Sequence, residues 1–194
     1  MTLRFAVTYD YRCPFARNAH EHLLDGLEQG ADWDVRFLPL SLSQLKEPDW
    51  SVADDSGLLA LQLSVAVRDG QPDRFLAAHR ALFAIRHDRG LNQRDPEILA
   101  STLLEAGVDI DAARAAVNRG EAAETVRREH EAAVADHQCW GVPTFIVDDQ
   151  AAFVRLMDRP EQAELGPVET VERLVAMLEG WPALNEFKHT AISR

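Results

Sequence analysis

The sequence predicts an α/β protein in which a β-α-β unit and a β-β-α unit are separated by an all-helical block. Three observations carry this expectation. Residues 3–9 and 33–40 alternate large apolar with smaller or polar side chains around a helical stretch. Nearly every segment of 56–136 has helical periodicity, and strand character returns at 143–147 ahead of a closing helix.

Taken in order, Phe5, Val7 and Tyr9 mark one face of the first strand, and residues 10–14 turn into a helix with Pro14 at its first position. Proline fits there because its missing N–H had no partner in the first turn. Phe15, Ala19, Leu23 and Leu27 follow at helical spacing until Gly30. The second strand, 33–40, completes a unit that normally forms a parallel pair by a right-handed crossover. Residues 58–67 are apolar on most faces and predict a buried helix. Phe75, Ala78, Leu82 and Ile85 form a stripe on the next helix, which Gly90 ends. Shorter helices are expected over 96–106, 109–117 and 122–135, separated by Gly107 and Gly120, with the charges of the last facing solvent. A strand over 143–147, a turn at 148–150 and a strand over 151–154 make a hairpin. A helix over 168–178 ends at Gly180, Trp181 and Pro182, and the last dozen residues are expected to dock a short helix through Trp181, Leu184 and Phe187. The chain thus divides into 1–54, a helical insertion over 55–136, and 137–194.

The 194 residues are ample for a buried core, and 46% of them are hydrophobic. Twenty Lys and Arg against 32 Asp and Glu give a formal net charge of −12. That balance argues against nucleic acid and against anionic membranes as partners, since both require a basic face. Met1 to Arg4 lead straight into a strand pattern without a long apolar leader, and 58–67 is too short to span a bilayer. Two cysteines are too few for a secreted disulfide framework. A cytoplasmic location is the resulting expectation.

Cys13 stands at a strand-to-helix junction, immediately before Pro14. A thiol there faces unpaired N–H groups and the positive end of the helix dipole, and Arg12 and Arg17 add cationic charge nearby. The expectation is a thiol more acidic than usual; taken alone, a reactive thiol and an inert buried one stand level. Val142 and Pro143 shift that balance. Pro143 opens a strand, where a trans proline would only cost a ladder hydrogen bond, and a cis proline in a tight turn would account for it. His137 and Cys139 could supply two metal ligands, but no second pair appears at ligand spacing, and His20 and His22 point to different faces of one helix. No phosphate-cradling loop is present, so neither a metal nor a nucleotide cofactor is expected.

A β-α-β unit with Cys13-Pro14 at the helix start, a helical insertion, and Gly141-Val142-Pro143-Thr144-Phe145 leading a hairpin and final helix resembles the DsbA-type thioredoxin superfamily. That group takes in the bacterial disulfide oxidoreductases, FrnE-like proteins, 2-hydroxychromene-2-carboxylate isomerases and kappa-class glutathione transferases. The resemblance implies a thioredoxin fold with an inserted helical subdomain. It makes Cys13 the nucleophile and Pro143 the cis-proline beside the sulfur, and Val142 supplies backbone groups to a bound peptide or thiol. Pro14, Arg17 and Thr144 complete the implied thiol-binding set.

One departure matters. The redox members read Cys-x-x-Cys, whereas Ala16 stands where the second cysteine would be. A dithiol cycle within this motif is therefore excluded. A single thiol can instead form a mixed disulfide that a second small thiol resolves, with a low-molecular-weight thiol as co-substrate. The transferase and isomerase branch offers a second expectation, a bound small thiol and an apolar substrate between Tyr11, Phe15, Trp50, Leu61 and Trp140. A non-catalytic thioredoxin-like module is the third. Cys139, four residues before Pro143, is a candidate resolving cysteine, with simple burial as the alternative. The segment after the hairpin is similar to the Asp-Arg segment of the isomerase branch. Arg155 or Arg159 could therefore meet a substrate carboxylate, with an ion pair to Asp158 as the alternative. The resemblance also carries the expectation of a homodimer.

Overall fold

A computed structural model describes residues 2–50 and 57–189. Its elements run β1 (Leu3–Tyr9), α1 (Pro14–Glu28), β2 (Trp33–Pro39), α2 (Leu58–Gly70), α3 (Pro72–His87), α4 (Pro96–Glu105), α5 (Ile110–Asn118), α6 (Glu121–His137), β3 (Thr144–Val147), β4 (Gln150–Phe153) and α7 (Pro167–Gly180), with a 3-10 turn at Pro160–Gln162 before the last helix. The sheet order is β2-β1-β3-β4. β1 and β2 are parallel, from Leu3 opposite Trp33 to Tyr9 opposite Pro39, while β3 runs antiparallel to both β1 and β4. This is the α/β thioredoxin-like fold with a helical insertion, α2 to α6, between the two halves of its sheet.

Phe5, Val7 and Tyr9 alternate onto one face of β1, where Tyr9 lies edge-on to His20 of α1. Phe5 lies edge-on to Trp33 and stacked on Phe145. Trp33 reaches across to α1, where a Cβ on Gly26 would lie 2.3 Å from its ring, so only glycine allows that approach. The insertion is joined to the sheet by charge as well as by apolar burial. Arg68 of α2 donates from Nη1 to the Phe37 carbonyl of β2 (2.8 Å) and pairs with Glu129 of α6 at 2.7 Å. Gly107 and Gly120 separate α4, α5 and α6 with φ of 79° and 82°, the left-handed region that favours glycine.

A buried polar chain runs through the junction of sheet and insertion. Tyr9 Oη lies 3.0 Å from Ser64 Oγ, and Tyr11 Oη lies 2.6 Å from Ser64 Oγ and 2.7 Å from His79 Nδ1. His79 Nε2 lies 2.9 Å from His20 Nδ1, and His20 Nε2 donates to the Thr8 carbonyl at 3.1 Å. Each of these side chains is at most 1% exposed. Burial lowers His20 to about 4 and holds His79 well below the usual histidine range, so both imidazoles are neutral at pH 7.

The element order follows the sequence pattern, with three differences. The first residue of the expected third strand, Pro143, lies outside β3, and Gln150 already pairs with Val147, so β4 begins one residue early. No short helix follows Pro182 among the described residues: 183–189 have no regular structure, and Trp181 and Phe187 are 59% and 72% exposed. Asn185, Glu186 and Lys188 interrupt the apolar residues there and leave no face to bury. The boundary expected between residues 54 and 55, and residues 190–194, lie outside the described residues. Among the described residues no helix is long and apolar enough to cross a membrane.

Candidate active site at the start of the first helix

The turn from β1 into α1 is built on one carboxylate. Asp10, 1% exposed, accepts from the backbone N–H groups of Arg12 and Leu42, both at 2.9 Å, and from the Arg12 guanidinium at 2.6 Å. Arg12 reaches on to Ser43 Oγ at 2.8 Å. The Cys13 N–H donates to the Asp10 carbonyl, so the turn delivers Cys13 to the N-cap of α1. There Sγ accepts from the Ala16 N–H at 3.4 Å.

The opposite wall is the loop before β3. The Val142–Pro143 peptide is cis. Val142 presents its carbonyl to Cys13 Sγ, which donates to it at 3.3 Å. The loop is pinned from three directions. Thr144 Oγ1 donates to the Gly141 carbonyl (2.8 Å), the Thr144 N–H to Thr8 Oγ1 (2.8 Å), and the Val154 N–H to the Pro143 carbonyl (3.0 Å). Cys13 and Val142 therefore meet across the site, with Pro14 next to the one and Pro143 next to the other in the chain.

The electrostatics differ from the sequence expectation. Burial pushes the Cys13 thiol up from its ordinary value and outweighs the Ala16 and Phe15 N–H groups that favour thiolate; the Asp10 charge pushes it further up, and Arg155 opposes this. The two arginines expected to help are engaged with carboxylates. Arg12 is held by Asp10, while Arg17, 8% exposed, lies 3.0 Å from Glu21 and pairs with Asp88 at the end of α3. Arg17 thus ties α1 to the insertion instead of lining the thiol.

Both cysteines are free. Cys139 is 3% exposed, its thiol pushed up by burial and hydrogen-bonded to Thr144. Arg159 pairs with Glu21 (2.7 Å) and Glu161 (3.0 Å), not with Asp158. The apolar pocket expected for the transferase reading does not assemble. Tyr11 and Leu61 are sealed in the core, Trp50 sits edge-on to His130, and Trp140, 68% exposed, lies tilted against Phe153. His20 turns inward to Thr8 and His79, and His22 Nε2 faces the Asp158 carbonyl, so they share no ligand. Among the described residues no cluster of three His, Cys, Asp or Glu has metal-binding geometry.

Sequence reasoning missed Asp10, Thr8 and Asn18. Asp10, two residues before Arg12 in a turn, carried a readable signal, because Asp side chains habitually bond the backbone two residues on. Thr8 and Asn18 did not, since their partners lie more than 130 residues away.

A family model described as DSBA-like thioredoxin domain matches residues 6–164. No curated protein matches the chain by sequence. Among solved structures, a periplasmic thioredoxin-like protein from Salmonella enterica serovar Typhimurium superposes with a TM-score of 0.62 at 20% identity, covering 92% of this chain and 84% of that one. The thiol-disulfide exchange protein α-DsbA2 from Wolbachia pipientis gives 0.64 at 15% identity, with 91% and 82% covered. DsbA from Pseudomonas aeruginosa gives 0.61 at 20% identity, with 94% and 85% covered.

Proposed function

From the premise that the chain belongs to the DSBA-like thioredoxin domain family, we propose that it is a thiol-dependent oxidoreductase acting through the single thiol of Cys13 with a low-molecular-weight thiol partner. One observation carries the reading: Cys13 Sγ caps α1 and touches the Val142 carbonyl, so a disulfide docking along Val142 arrives beside the nucleophile. Ala16 supplies no second sulfur to release a bound partner, which leaves resolution to a second small thiol. In the resting site the sulfur is protonated and donates to Val142. Deprotonation frees that carbonyl for the partner and makes the nucleophile in one event. A reducing compartment suits this route, since small thiols are abundant there.

Intact-mass measurement after incubation with glutathione disulfide tests the proposal. An adduct of one small thiol is expected, retained in Cys139→Ser and absent from Cys13→Ser. Loss of two hydrogens in the wild type alone would reveal a Cys13–Cys139 pair and overturn the single-thiol route. An unchanged mass throughout would remove Cys13 as a reactive group.

A second reading has one observation in its favour. A thiol pushed up by burial remains a hydrogen-bond donor at neutral pH, which suits a role toward a bound thiol of the transferase or isomerase kind. That reading requires activity to survive Cys13→Ser, where the hydroxyl still donates.

A further inference from the structure

Two aromatic rings, one of them two residues past Cys13, share one guanidinium. Arg155 Cζ lies 5.3 Å from the ring centroid of Phe15 and 5.7 Å from that of Phe153. The rings come from opposite walls of the site: Phe15 is two residues past the thiol on α1, and Phe153 ends β4 opposite Thr144. Trp140 extends the aromatic ledge, 4.4 Å from Phe153. The segment that carries Arg155 is fixed to α1, because Asn18 Nδ2 donates to the carbonyls of Leu156 and Met157, both at 3.0 Å. Arg159 anchors the same segment through Glu21.

Arg155 is exposed and, among the described residues, makes no ion pair or hydrogen bond, whereas Arg12, Arg17 and Arg159 are each held by carboxylates. A cation held over ring faces spends none of its N–H groups on them, so the fork that matches a carboxylate stays uncommitted. Its charge also favours the Cys13 thiolate. In a chain of net charge −12 an approaching anion is repelled at long range, but salt screens that field within about 8 Å. Anion recognition at this site therefore falls to a local, uncommitted cation.

We propose that Arg155, laid on Phe15 and Phe153, is the specificity-determining residue of the site and receives the carboxylate of a small thiol or its disulfide while the sulfur meets Cys13. This rests on the reading of Cys13 as a group that exchanges with small thiols. In the step itself the Cys13 thiol gives its proton to solvent and the thiolate attacks one sulfur of the disulfide. The new Cys13–sulfur bond forms as the old S–S bond breaks. The other half leaves as a thiolate that solvent protonates, with no net oxidation.

The test compares second-order rates of mixed-disulfide formation at Cys13 with two probes, dithiobis(nitrobenzoate), which carries two carboxylates, and uncharged dipyridyl disulfide. Both are run on Cys139→Ser as background. Arg155→Gln is expected to slow the carboxylated probe about tenfold relative to the neutral one, and Arg155→Glu to lower that ratio further. Taking the ratio removes any change in thiol acidity, which affects both probes alike. A ratio unchanged in both variants overturns the inference while leaving the Cys13 chemistry standing. Failure of the background protein to react with either probe brings down the proposed function, and this inference with it.

Discussion

Acidification should destabilise this protein steeply through its buried histidine pair. His20 and His79 are fully buried, and burial lowers His20 from the ordinary 6.5 to about 4. In the unfolded chain the same imidazole takes a proton near 6.5, so between these values the unfolded state binds more protons. Stability is therefore lost as pH falls below 6.5, with the loss complete near 4. From pH 7 to pH 5 His20 alone accounts for about 2 kcal/mol, and over its whole window for about 3 kcal/mol. His79, moved in the same direction by burial and by the neighbouring His20, steepens the fall, as do the buried His22 and His130 and the half-buried His87. Against a typical total of 5–15 kcal/mol this is a large fraction. Urea unfolding at pH 7 and pH 5 measures the loss, and imidazole nitrogen signals report where His20 and His79 titrate in the folded protein. Native imidazoles titrating near 6.5, together with equal urea stability at the two pH values, would refute the reasoning.

Three further outcomes are expected. Alkylation of Cys13 by iodoacetamide should keep rising, about tenfold per pH unit, up to pH 9, because burial holds the thiol above its ordinary 9.0; a plateau by pH 7 would contradict that environment. Asp10→Ala should cost about 3 kcal/mol in urea unfolding, since it removes the buried acceptor of the Leu42 and Arg12 N–H groups and the ion pair to the Arg12 guanidinium, while making the Cys13 thiol more acidic by removing a neighbouring negative charge. Gly26→Ala should destabilise by about 2 kcal/mol, measured the same way, because the new methyl overlaps the Trp33 ring.

Period and punctuation made most of the fold legible. The alternation of 3–9 and the stripe of Phe75, Ala78, Leu82 and Ile85 read directly, because each reports one element's own buried face. The meeting of Cys13 with Val142 and Pro143 was accessible only through resemblance, since nothing local links residues 129 apart. The charges around the site were misjudged for the same reason. Arg12 and Arg17 look like free cations beside a thiol until Asp10 is seen turned inward and Asp88 arrives from another helix. His20 was weighed as a metal ligand, but its actual partner, His79, lies 59 residues along the chain. The helix dipole argument for Cys13 was sound in direction, yet it omitted desolvation, which depends on what packs over the sulfur and leaves no trace in the local sequence.

The Arg68 contact with the Phe37 carbonyl has a consequence for how copies of this protein behave together. β2 is an outer strand of the sheet, and an outer strand offers a row of unpaired backbone groups on which a second chain can polymerise. Arg68 occupies one of those acceptors and holds α6, through Glu129, across the same border. The other outer strand, β4, is only four residues long, too short a template for stable cross-chain pairing. The insertion thus acts as a guard rail as well as a roof. Loss of the Arg68 contact would be felt first as clumping at high concentration, before any change at the thiol.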